Sequence, residues 1–141
     1  MSSGAKTALA LALGLTPMAA LESALQPVDL VVTYVPADAA APVADAMLCA
    51  GAGRIGMYRG CSFAARGTGR FTPLPGAKPA VGEVGSPETA EETRLEMVAP
   101  RGAGEAVAEA ARQAHPYDEP VVLVQESALA RGAARLGRLC A

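Results

Sequence analysis

Tryptophan is absent and aromatic residues are scarce: Phe63, Phe71, Tyr34, Tyr58 and Tyr117 are the whole complement. So few rings exclude a base-stacking platform of the kind that holds single-stranded nucleic acid. Lysine and arginine form no cluster, and the formal charge is −2. A surface for phosphate backbones needs a basic stripe, so nucleic acid is excluded as a partner class. Histidine occurs once, at position 115, and the three cysteines, Cys49, Cys61 and Cys140, are widely spaced with no CxxC pair. Neither a disulfide framework nor a structural zinc site fits that inventory. Reduced thiols in a cytoplasmic protein are expected. No apolar run is long enough to span a bilayer, so no membrane partner is expected.

What is present suffices for one core: 141 residues, 51% of them hydrophobic and 18% charged. Lys6, the run Thr7 to Leu15 and the small residues ending at Ala20 imitate a secretory signal peptide, which makes export the alternative to the cytoplasm. The same run also reads as a short Ala/Leu helix ended by Gly14.

Leu30, Val31, Val32, Tyr34 and Val35 predict a strand over Asp29 to Val35, buried on both faces. Pro36 stops it. Asp38 is placed to cap a helix running to about Cys49, with Val43, Met47 and Leu48 on its buried face and Cys49 in the core. Residues 54–84 are rich in glycine and proline and read as strands with tight turns, with a hairpin turn at Arg66-Gly67-Thr68-Gly69. An acidic stretch with Glu88, Glu91 and Glu92 reads as a solvated loop, followed by a short strand from Arg94 to Val98. Ala103, Ala106, Val107, Ala110, Ala111 and Ala114 predict a helix over Gly102 to His115, whose small residues let it approach a sheet closely. A last strand is expected from Val121 to Gln125, and Ser127 to Ala141 as a helix or tail. The order is that of an α+β, ferredoxin-like split βαβ with an elaborated central hairpin section. The expected division is a terminal segment over 1–28, the domain over 29–126 and a tail over 127–141.

Three stretches then become specific. They are Gly51-Ala52-Gly53-Arg54-Ile55-Gly56-Met57-Tyr58 running into Cys61-Ser62-Phe63; Gly67-Thr68-Gly69-Arg70-Phe71-Thr72-Pro73 with Gly82-Glu83-Val84-Gly85; and His115-Pro116-Tyr117-Asp118-Glu119-Pro120. In order and spacing, over about residues 29 to 126, they resemble the inserted middle domain of the Nif-three-like (YqfO-type) proteins. The flanks Ala8 to Leu15 and Gly132 to Leu139 resemble that family's chain on either side of the insert. Met57 departs from the usual polar residue, and Asp118 from glutamate. The family's dinuclear metal centre needs several histidines, so its hydrolase-like activity does not carry over to a chain with one. The resemblance implies a fold like the PII and CutA-type proteins, which are homotrimers holding small ligands or metal ions between subunits.

His115 is the one side chain whose ordinary titration range lies near neutrality, and it stands at a helix end. It is a candidate metal ligand, acid/base or ligand contact, and equally a residue that fixes the turn before Pro116. Cys61, in a turn-rich section, is a candidate soft-metal ligand or nucleophile if it meets His115, and otherwise a small buried hydrophobe. The candidate metal set is His115, Cys61 and Glu119, for one divalent or soft metal ion per subunit. Glu83, Glu96, Tyr117 and Asp118 are candidate pocket residues, with surface charge as the alternative for the carboxylates. Gly51-Ala52-Gly53-Arg54-Ile55-Gly56 fits GxGxxG but follows a helix and precedes a strand, the reverse of a dinucleotide site, so no nucleotide cofactor is expected. Three function classes follow: an oligomeric module that binds a small ligand or metal ion, a small enzyme reusing a Cys61/His115 pocket, and an assembly domain for a separate partner.

Overall fold

The β-branched run around Val31 forms a central strand, β1 (Leu25–Val35), in a computed structural model that describes residues 25–131. A short 3₁₀ turn, Ala37–Ala39, leads into α1 (Ala40–Cys49). Then come β2 (Phe63–Phe71), β3 (Glu88–Pro100), α2 (Gly104–Ala114) and β4 (Val122–Ala130). The strands lie in the order β2-β3-β1-β4 in one sheet, with β3 antiparallel to both of its neighbours. This is the ferredoxin-like α+β arrangement that the element order predicts. Pro27–Ala128 form one compact unit. The expected N-terminal helix or signal-like run, and Cys140, lie outside the described residues.

Alternation along the strands decides what meets the helices. Val31 pairs with Met97, Thr33 with Leu95 and Val35 with Thr93, and all six are buried. The apolar four of these, with Val43 and Met47 of α1 and Val107 and Ala111 of α2, belong to the hydrophobic core. Burying each of the larger side chains contributes about 1.5–3 kcal/mol. Val32 is also buried, although it shares the opposite face with Tyr34 and Glu96, so β1 is covered on both faces as its unbroken apolar run requires.

Pro42 sits in the first turn of α1, where a missing N–H costs nothing. Asp38 lies in the preceding turn and makes no capping bond, against expectation; Ala39 occupies the N-cap position. Past Cys49 the chain closes through Ala52 N–H to the Met47 carbonyl at 3.1 Å and reverses at Gly51, φ +111°. Gly53 then packs so tightly that a Cβ would stand 2.8 Å from Met97 Cε, at a φ of +86° that itself favours glycine. At α2, the carboxylate of Asp29 reaches across from β1. Its Oδ2 accepts from the Gly102 and Gly104 N–H groups at 2.8 and 3.0 Å, and its Oδ1 pairs with Arg101 Nε at 3.2 Å. A buried anion thereby satisfies two free donors at a helix start, where the dipole also favours it.

Several local expectations are corrected. Arg66 to Gly69 are not a turn; they lie in the middle of β2, paired with Thr93 to Ala90. Glu88, Glu91 and Glu92 are not in a loop but in β3, which is 13 residues long. Cys49 is exposed rather than core. Ser127 to Ala130 continue β4.

Candidate functional site

β1 ends at Val35, opposite Thr93, but β2 and β3 stay paired as far as Phe71 and Glu88. Five pairs of the β2–β3 ribbon therefore overhang the sheet. The 72–87 connection folds back over this ribbon, held by Ala77 N–H to the Leu74 carbonyl at 3.0 Å and Gly85 N–H to the Pro73 carbonyl at 2.7 Å. A further bond, Lys78 N–H to Asp118 Oδ2 at 2.9 Å, ties the connection to the turn after α2. Between ribbon, connection and turn lies a cavity of about 1000 Å³. That size suits a small organic molecule.

Register places Tyr34, Ala65, Gly67, Gly69, Phe71, Glu92 and Arg94 on the ribbon and sheet face turned away from the helices, and all of them line the cavity. Arg94 Nε donates to Glu96 Oε1 at 2.7 Å, and its Cζ stands 6.0 Å from the Tyr34 ring centre. Glu92 leans the other way, across to β2, where a Cβ at Gly69 would collide with its carboxylate. Glycine in mid-strand is thus a notch for an acid, which is why the 66–69 stretch imitates a turn in sequence.

Tyr117 closes one side of the cavity. Its ring centre is 4.8 Å from that of His115 and 6.5 Å from that of Phe71. Its hydroxyl is buried beside the Glu92 carboxylate, with no hydrogen bond of good geometry among the described residues. Burial, and then the negative charge of Glu92, push its pKa above the ordinary value.

His115 is buried, at 7% exposure. Its Nε2 lies 2.7 Å from the Tyr34 carbonyl oxygen, and its Nδ1 accepts the Tyr117 N–H at 3.1 Å. A ring whose Nδ1 accepts and whose Nε2 faces a carbonyl is the Nε2–H tautomer. Both nitrogens are engaged, so His115 locks the turn that carries Tyr117, Asp118 and Glu119.

The sequence candidates do not gather at one point. Cys61 donates its N–H to the Gly53 carbonyl, and Gly53 donates to the Val98 carbonyl. His115 bonds instead to Tyr34, whose β3 partner is Arg94. Four residues along a strand are about 13 Å. Among the described residues no three His, Cys, Asp or Glu side chains stand close enough to hold a metal ion. Glu119 and Asp118 line the cavity, with Asp118 also fastening the 72–87 connection. Glu96 stands on the face opposite Leu95 and Met97, paired with Arg94, and Glu83 lies exposed in the connection, outside the cavity lining. Sequence reasoning missed Glu92 and Arg94. A signal was there, since glycines at 67 and 69 mark where the backbone of β2 must be approached closely.

No protein-family profile matches the chain. It is 44% identical over 140 residues to a protein of Mycobacterium leprae described as a GTP cyclohydrolase 1 type 2 homolog, covering 98% of this chain and 36% of that one. The chain spans about a third of the length of such curated relatives. Among solved structures, a Bacillus cereus protein related to NIF3 matches with a TM-score of 0.62 and 36% identity, over 84% of this chain and 31% of that one. The periplasmic divalent cation tolerance protein CutA of Archaeoglobus fulgidus matches with a TM-score of 0.53 over 77% of this chain and 90% of its own. At 15% identity that likeness concerns the fold alone.

Proposed function

The chain is a homologue of about a third of the NIF3-related proteins, and from that premise we propose that it is a small-ligand-binding regulatory module that works as a homotrimer in the cytoplasm. The observation that carries this reading is the cavity under the 72–87 connection, walled by aromatic rings and by charged side chains held in fixed positions. A pocket that mixes an apolar surface with a few convergent polar groups is the usual form of a small-molecule site. A complete catalytic set does not accompany it, because His115 spends both ring nitrogens on the backbone. A metal ion held within one subunit is not part of this reading, since Cys61 and His115 bond to different ends of the sheet.

Self-association is supported by apolar side chains left exposed on the outer strands of the sheet. Phe63 is 64% exposed and lies across from Glu96 on the side away from the helices; Leu123, on β4, is 49% exposed. Among the described residues β2 and β4 are also the edge strands, which invite pairing with another chain. The test of the ligand reading is amide NMR of the labelled chain against a library of small polar and apolar molecules. Saturable shifts at Gly67 to Phe71, Glu92, Arg94 and Tyr117 are expected. A library that moves none of these amides would end the reading.

A further inference from the structure

Two opposite charges inside the cavity are held apart, and neither is neutralised by an ion pair that uses all its polar atoms: Arg94 gives one nitrogen to Glu96, and Glu92 meets only the uncharged Tyr117 hydroxyl. Glu92 and Arg94 share one face of β3, two residues apart, yet they do not pair with each other. Arg94 spends its Nε on Glu96, while its two terminal nitrogens have no partner among the described residues. Glu92 has no ion pair there either, and it lies over Gly69, at the level of Ala90. The carboxylate therefore sits about four residues along the strand from the guanidinium, on the order of 13 Å. Between them the floor is Ala65 and Gly67, which put almost nothing in the way. Arg66 and Arg70, also at the cavity, pair with Thr93 and Thr89 and so alternate toward the opposite face.

We propose that the cavity takes an extended zwitterion, its carboxylate on the free nitrogens of Arg94 and its ammonium on Glu92, with an uncharged body of two or three residues' length between them. This rests on the reading of the cavity as a ligand site. Each ligand charge stands about 3 Å from its partner in a charge-assisted hydrogen bond, which leaves roughly 7 Å or more between the two ends. A free α-amino acid is too short, since its charged ends are only about 3 Å apart. A di- or tripeptide spans about 7–10 Å and fits. An ω-amino acid of the same length carries the same charges, so peptide groups are not part of the chemistry proposed. The apolar body lies against Phe71 and Leu74, which line the same space.

The experiment is amide NMR titration of the whole labelled chain with trialanine and with 6-aminohexanoate. Free alanine, N-acetyl-trialanine and trialanine amide serve as controls. Trialanine is expected to shift Gly67 to Phe71 and Tyr117, and blocking either end is expected to weaken binding at least about tenfold. Binding of 6-aminohexanoate as well would assign recognition to the charges alone; its failure beside bound trialanine would assign the peptide as the source. Glu92→Gln and Arg94→Gln should each lose about tenfold. Gly69→Ala keeps both charges but displaces the Glu92 carboxylate, and should lose a similar factor. Blocked peptides that bind as well as free ones, or alanine that binds better than trialanine, would overturn the proposal. If other molecules shift these amides and no zwitterion does, the ligand class falls while the cavity reading stands. If nothing shifts them, both fall.

Discussion

Tyr117 and His115 work as one unit, the ring of one stacked at an angle on the ring of the other and the backbone N–H of one bonded to the Nδ1 of the other. Because the Tyr117 hydroxyl is buried beside Glu92 with no hydrogen bond of good geometry among the described residues, Tyr117→Phe should change stability by less than about 1 kcal/mol near neutral pH. The alkaline limb behaves differently. A phenol whose folded pKa lies above its unfolded value of about 10 contributes stability that is present below pH 10 and lost as the pH rises through the folded pKa. Denaturation midpoints at pH 9 and pH 11 should therefore fall further in the wild type than in Tyr117→Phe; equal falls would contradict the burial of this hydroxyl. His115→Ala leaves the Tyr34 carbonyl and the Tyr117 N–H without their partner and should cost about 2–3 kcal/mol. Nitrogen NMR of the single histidine should report the Nε2–H tautomer, and the Nδ1–H form would refute the assignment.

At the scale of elements, the 72–87 connection depends on a short list of bonds, of which Lys78 N–H to Asp118 is the one among the described residues that leaves the loop itself. That bond is exposed, so Asp118→Ala should alter global stability by no more than about 0.5 kcal/mol. Hydrogen exchange at Lys78 should nonetheless accelerate, and an unchanged rate would mean the connection is held by something else. Elements that bury a regular face were legible in the sequence: β1 through its run of valines, and α2 through Val107 and Ala111 at helical spacing. Elements that bury nothing were not. The first half of β3, from Glu88 to Glu92, belongs to the overhanging ribbon and has no core face to impose an apolar alternation, so its charges read as a loop. The same overhang hid the site. Glu92 and Arg94 become neighbours of Tyr117 only because the ribbon runs past the end of β1, a distance that register sets and composition does not. Tyr117, Asp118 and Glu119 were legible as candidates through the resemblance that the stretch His115 to Pro120 carries and through their nearness to His115 in sequence.

For the whole molecule, the exposed apolar side chains of the outer strands are the decisive surface. Under the proposed trimer, with Phe63 at 64% and Leu123 at 49% exposure in its contacts, the 14.2 kDa chain should elute in light-scattering chromatography at three times its own mass. The double change Phe63→Glu, Leu123→Glu should reduce it to one chain while the circular dichroism of the fold persists, because neither side chain is in the core. A wild type that is monomeric at all concentrations would remove the trimer.

The pairing at the middle of the sheet also sets a clock. Val28 lies opposite Pro100, so the two central strands come from distant parts of the chain, whereas β2 and β3 are joined by a single connection. Closing the longer loop costs more entropy before any contact rewards it. During synthesis, β1 and α1 emerge early and wait with their valines unpaired until β3 is complete. The interval between the two is when this domain is most open to capture by chaperones or by other nascent chains.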